Sequence, residues 1–90
     1  MNGKEKEPAW ATHLGESGRA FRLGREAAGS ENLTRFIDAV VPALATAPPE
    51  LMQTLGPILN EVLAAQQRHD YSHLADLLEY ELQPLLIDRA

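Results

Sequence analysis

From Trp10 to Leu86, apolar positions recur at three- and four-residue steps, and the runs are broken by glycine, by paired prolines and by an Arg-His-Asp stretch. That rhythm predicts helices. No run alternates apolar and polar residues in the two-residue period of a half-buried strand.

The first helix is expected to open near Pro8, which suits a first turn, and to run to about Ala28. Trp10, Leu14, Ser17, Phe21, Gly24 and Ala28 fall on one narrow seam. Gly15, Gly18 and Gly24 each cost about 1 kcal/mol relative to alanine, so this helix should form by docking, with Ser17 and Gly24 allowing a neighbour to come close. Gly29 reads as its C-terminal cap and Ser30 as the N-cap of the next helix.

The second helix presents Leu33, Phe36, Ile37, Val40, Val41 and Leu44 on one face and ends at Pro48 and Pro49. Pro49 and Glu50 open the third, whose apolar set is Leu51, Met52, Leu55, Ile58, Leu59, Val62 and Leu63. After a break at Arg68-His69, Asp70 caps a fourth helix centred on Leu74, Leu78, Leu82 and Leu85, with Tyr71 and Ala75 alongside. Pro42, Pro57 and Pro84 lie inside these segments and off their apolar faces. Each frees the carbonyl four residues back to meet water and lets the helix bend around the core. The apolar positions around the three prolines echo one another, but any amphipathic helix repeats at such steps, so the echo need not mark a duplication.

These segments predict an all-α fold, a compact four-helix bundle with short connections and proline-kinked helices. Residues 1–8 read as a polar tail and 9–90 as one domain, since 90 residues build one domain at most. A chain this small has a thin core, and with no cysteine it has neither disulfides nor thiolate metal sites to support it. No apolar run is long enough to cross a bilayer, and MNGKEKEP lacks the apolar stretch of a secretory signal, so a cytoplasmic location is expected.

Net charge is −5 and unevenly spread. Residues 1–28 carry five basic side chains against four acidic ones, and the rest of the chain carries Arg35, Arg68 and Arg89 against nine acids. Such a body repels phosphate, which argues against nucleic-acid and membrane-surface partners. From His69 to Asp88 there are five carboxylates and no lysine or arginine.

Candidate chemistry concentrates in that stretch. His69 and His73 are one helical turn apart, and Asp76 and Tyr80 continue their face. Two histidines and Asp76 could ligate zinc. The glutamate that metalloproteases place beside the first histidine is missing, and a break at Asp70 would leave His69 outside the helix, so no stoichiometric metal is expected. Glu81 falls at the margin of the apolar stripe. It is read as a structural charge pair, with Arg19, Arg22, Arg25 or Arg35 as its cation. The alternative, a general base of raised pKa, lacks a nucleophile, an oxyanion donor or a second carboxylate. Asp76, Glu79, Glu81 and Asp88 form an acidic helix surface that could be merely solvated or could dock a basic partner. The glycines near Gly15 and Gly18 match no phosphate-binding loop. No cofactor is expected.

The segment DYSHLADLLEYELQPLL, through Asp70, Tyr71, Leu74, Ala75, Asp76, Leu78, Glu79, Tyr80, Glu81 and Pro84, resembles the C-terminal signature of small helical proteins of Gram-positive spore-forming bacteria. The resemblance covers under a fifth of the chain. It implies a stand-alone bacterial domain and gives Asp76, Glu79 and Glu81 a shared importance, but brings no activity, cofactor or binding residue.

The residues thus point to a small acidic protein–protein interaction module, an adaptor, chaperone or regulator. Its expected surface is Leu51, Met52, Leu55, Leu59 and Leu63 of the third helix with Asp76 and Glu79 of the fourth. The broad apolar sector of the third helix also suggests a homodimer. The alternatives are a metal-binding protein or small enzyme using His69, His73, Asp76 and Glu81, and a self-assembling structural protein.

Overall fold

A computed structural model describes residues 8–87. The expected N-terminal tail, Pro8 apart, lies outside the described residues, as do Asp88 and Arg89. The chain is all-α, with helices α1 (Ala9–Arg22), α2 (Glu26–Ala43) and α3 (Pro49–Gln67). A fourth helical rod follows, made of α4 (Tyr71–Asp76), a π-helical stretch (Leu77–Leu82) and α5 (Gln83–Leu86). Among the described residues there is no strand. The four units form a flattened bundle of 34 × 33 × 20 Å with a radius of gyration of 12.7 Å.

Helix α1 is the hub. It packs along α2 as an antiparallel hairpin and against the fourth rod on its other side, while α3 packs on that rod. Between them they bury Leu14, Leu33, Phe36, Leu55, Val62, Leu74, Leu78 and Leu82. Each leucine so enclosed contributes about 2 kcal/mol of transfer free energy. Trp10 sets its edge against Phe36, with ring centroids 6.3 Å apart and planes at 63°, so the N-terminal end of α1 is docked.

The boundary between α1 and α2 differs from the expected one. α1 ends at Arg22, and Gly24 takes φ +78°. The Gly24 N–H donates to Phe21 O at 3.1 Å and the Arg25 N–H to Ala20 O at 2.8 Å, the paired bonds of a Schellman cap. Gly24 is thus the terminator rather than a seam residue, because a left-handed backbone costs glycine nothing. Ala27, Ala28, Gly29 and Ser30 all lie inside α2, so Gly29 is not a cap and Ser30 is not an N-cap. Gly29 has a packing role instead: a Cβ there would lie 2.7 Å from the Phe21 ring.

At the next junction the same cap is built on a residue less suited to it. His69 takes φ 61°, its N–H donates to Gln66 O at 3.1 Å, and the Asp70 N–H donates to Ala65 O at 2.9 Å. Asp70 then caps α4 as expected, accepting from the His73 N–H at 3.4 Å. Pro49 and Glu50 open α3, also as expected, with Pro48 as the N-cap, but α2 ends at Ala43, short of the prolines, and a 3-10 turn over Leu44–Thr46 follows it.

Pro42, Pro57 and Pro84 are all exposed, which agrees with their reading as residues on the outer faces of their helices. Near Pro84 the helix does not simply bend. The Gln83 N–H reaches five residues back to Leu78 O, closing a wide turn just before the proline. Leu74, Leu78 and Leu82 recur every four residues, and on an α-helix such a row drifts by about 40° per step. The wider turn corrects the drift, and all three leucines stay fully buried.

Candidate functional site

Two charged clusters link the helices. In the first, Arg22 in the last turn of α1 reaches across to the fourth rod. Its Nη2 donates to Asp76 Oδ1 at 2.9 Å and to Glu79 Oε1 at 2.7 Å, and its guanidinium lies 5.8 Å from the centroid of the Tyr80 ring. The hydrogen bonds that Arg22 donates to Glu79 and then to Asp76 raise its pKa above the ordinary value. Gly18, one turn earlier on α1, permits this approach: a Cβ there would lie 3.0 Å from Glu79 Cγ.

In the second cluster, Glu61 of α3 accepts from Arg68 Nη2 at 3.4 Å and pairs with His73 Nε2 of α4 at 3.0 Å, while Arg68 also lies 3.6 Å from Asp70 Oδ2. The hydrogen bond from His73, then that from Arg68, holds the Glu61 carboxyl below its usual range. His69 Nδ1 meets Tyr71 Oη at 2.8 Å, and Tyr71 in turn stacks on Phe21 at 5.2 Å with planes 7° apart. Phe21 is therefore held between Tyr71 and Gly29.

The candidate zinc ligands do not converge. His69 sits in the interhelical cap and bonds Tyr71, His73 turns to Glu61, and Asp76 turns to Arg22. Among the described residues, no three histidine, aspartate or glutamate side chains are grouped to hold a metal ion, and no pocket is present.

The charge pair expected of Glu81 is formed by other residues. Glu81 is exposed and makes no ion pair among the described residues. The π-helical stretch puts Leu77, Leu78 and Leu82 inward, and the carboxylates that face α1 are Asp76 and Glu79. Those two are held by one arginine, so the acidic surface is partly neutralised within the chain.

The third helix also divides. Leu51 and Leu55 do not belong to an outer surface. They are 8% and 1% exposed because α3 turns them, with Val62, into the bundle core. Met52 and Leu63 remain outside at 41% and 46%, and Leu59 sits half-buried at the edge between the two faces. Other large apolar side chains left exposed are Leu23, Val41 and Tyr80.

Glu61 was not singled out by the sequence pattern. Its only local signal is Arg68, two helical turns on, since its pairing with His73 crosses from one helix to another. No helix among the described residues is long and apolar enough to span a membrane. No protein-family model matches the chain, and no curated protein and no solved structure is significantly similar to it.

Proposed function

We propose that this chain is a small acidic protein–protein interaction module of the cytoplasm, and that its contact surface is the outer face of α3. The observation that carries this reading is the exposure of Met52 and Leu63 on a helix whose Leu51, Leu55 and Val62 already enter the core. Side chains of this size gain by leaving water, and among the described residues both stay exposed. The acidic face of the fourth rod is a weaker candidate, because Arg22 already occupies Asp76 and Glu79.

A photo-crosslinking residue at position 63, expressed in the native cell, tests the reading. Thr34, exposed on α2, is the control site. The expected result is a discrete crosslinked species from position 63 and none from position 34. That species should be lost when Met52 on the same face is changed to Lys. Equal labelling from both sites, or none from either, overturns the reading.

A further inference from the structure

The outer stripe of α3 consists of Met52, Gly56, Leu59 and Leu63, spaced by four, three and four residues. On a helix these positions fall within an arc of about 60°, beside the face formed by Leu51, Leu55 and Val62 that enters the core. A four-three-four spacing reads the same in both directions. Laid antiparallel on a copy of itself, with the two-fold axis between positions 57 and 58, the stripe sets Met52 opposite Leu63 and Gly56 opposite Leu59, each contact occurring twice. This is the self-complementarity that a two-fold interface requires. Gly56 supplies the recess: among the described residues, a Cβ built there meets nothing within 4 Å, so its surface is open to an incoming leucine.

Charge also selects the occupant. The chain carries −5 overall, so two copies repel unless they meet across a neutral face. α3 provides one. The residues along the outer margin of the stripe are Gln53, Asn60 and Gln67, while Glu50 and Glu61 lie on the far side of the helix. Amides both donate and accept hydrogen bonds, so such a margin can pair with itself, whereas a basic partner would be matched by carboxylates at these positions.

Resting on the interaction reading above, we infer that the occupant of this face is a second copy of the chain, joined through an antiparallel α3–α3 contact. One helix pair covers less surface than a standard interface of about 800 Å² per partner, so the dimer is a weak, concentration-dependent one.

Light scattering on the full chain should show a mass rising from 9.9 kDa toward twice that value as concentration increases from about 10 µM to about 1 mM. Leu63→Glu and Met52→Lys, both at exposed sites, should each leave the helical spectrum and melting temperature of the dilute monomer near those of the parent and shift dimerisation at least tenfold to higher concentration. An equimolar mixture of the two variants should recover association, because the antiparallel register sets the introduced ammonium of one chain opposite the introduced carboxylate of the other. Constant monomer mass at 1 mM would overturn the dimer. A crosslink from position 63 to a different protein would still uphold the interaction reading in that case. Unchanged association of Leu63→Glu, or a mixture no better than either variant alone, would overturn the proposed contact.

Discussion

The Ser17 hydroxyl donates a 2.8 Å hydrogen bond to the backbone carbonyl of Gly29, inside the α1–α2 contact where Ser17 is fully buried. A serine in mid-helix is usually neutral or unfavourable. Here its small side chain lets the helices approach, and its only polar atom is satisfied on the neighbouring helix. Ser17→Ala keeps the close approach and loses the bond, so it should lower stability by about 1 kcal/mol, or about 5 °C in thermal midpoint. Ser17→Val adds volume to the same contact and should cost more. If thermal unfolding shows Ser17→Ala at or above the parent midpoint, the bond contributes nothing to stability.

Gly29 should tolerate substitution less well than its position in a helix suggests. A methyl group there would meet the Phe21 ring at 2.7 Å, and the movement of that ring is restricted by Tyr71, which stacks on it at 5.2 Å. Helix propensity favours alanine over glycine by about 1 kcal/mol, while overpacking costs about 1–3 kcal/mol. The clash is with a buried ring already stacked on Tyr71, so overpacking should win and Gly29→Ala should unfold at a lower temperature. The double variant Gly29→Ala/Phe21→Leu should lose less than the sum of its parts, which a double-mutant cycle by denaturant titration would measure.

The same glycine shows where the sequence stops being legible. Gly24 and Gly29 are both plausible helix ends, and local propensity does not separate them. What separates them is Phe21, which needs a residue without a side chain on the helix it packs against, and that information lies in the pairing of α1 with α2. Much of the remaining helical pattern is readable because periodicity, the Pro49-Glu50 start and the Asp70 cap are local signals, whereas the end of α2 at Ala43 and the wide turn over Leu77–Leu82 carry no such signal. The site was readable only in part. Asp76 and Glu79 were visible as a charged face, but their partner Arg22 is 54 and 57 positions away. The apolar sector of α3 was visible too, but which half of it enters the core depends on where the fourth rod lies. Leu51 and Leu55 went inward, and Met52 and Leu63 did not.

Glu61 should make the stability of the α3–α4 junction depend on pH. Its folded carboxyl is held below the ordinary range, first by His73 and then by Arg68. A carboxyl depressed in the folded state contributes stability above its unfolded pKa, and that contribution fades as pH falls through the lower folded value. Glu61→Gln should therefore melt below the parent at pH 7, with the two midpoints converging as pH drops below about 4. These side chains are 40–50% exposed, so the effect is small and should shrink in high salt. A difference that persists at low pH would point to packing rather than charge as its source.

His69 holds the left-handed position of the α3–α4 cap at φ 61°, where an ordinary side chain pays about 1 kcal/mol that glycine does not. Its exposed contact with Tyr71 Oη, at 2.8 Å, offsets part of that cost. His69→Gly removes both the strain and the contact and also makes the unfolded chain more flexible, which costs a few tenths of a kcal/mol or more. The strain relief is the largest of the three, because the Tyr71 contact is solvent-exposed and Tyr71 stays anchored by its stacking on Phe21. The expected outcome is a thermal midpoint raised by about 2–4 °C. His69→Ala separates the terms: it keeps the positive φ, loses the contact, and should fall below the parent. If His69→Gly falls as far as His69→Ala, the histidine is held there by its bond to Tyr71 and the cap carries no releasable strain.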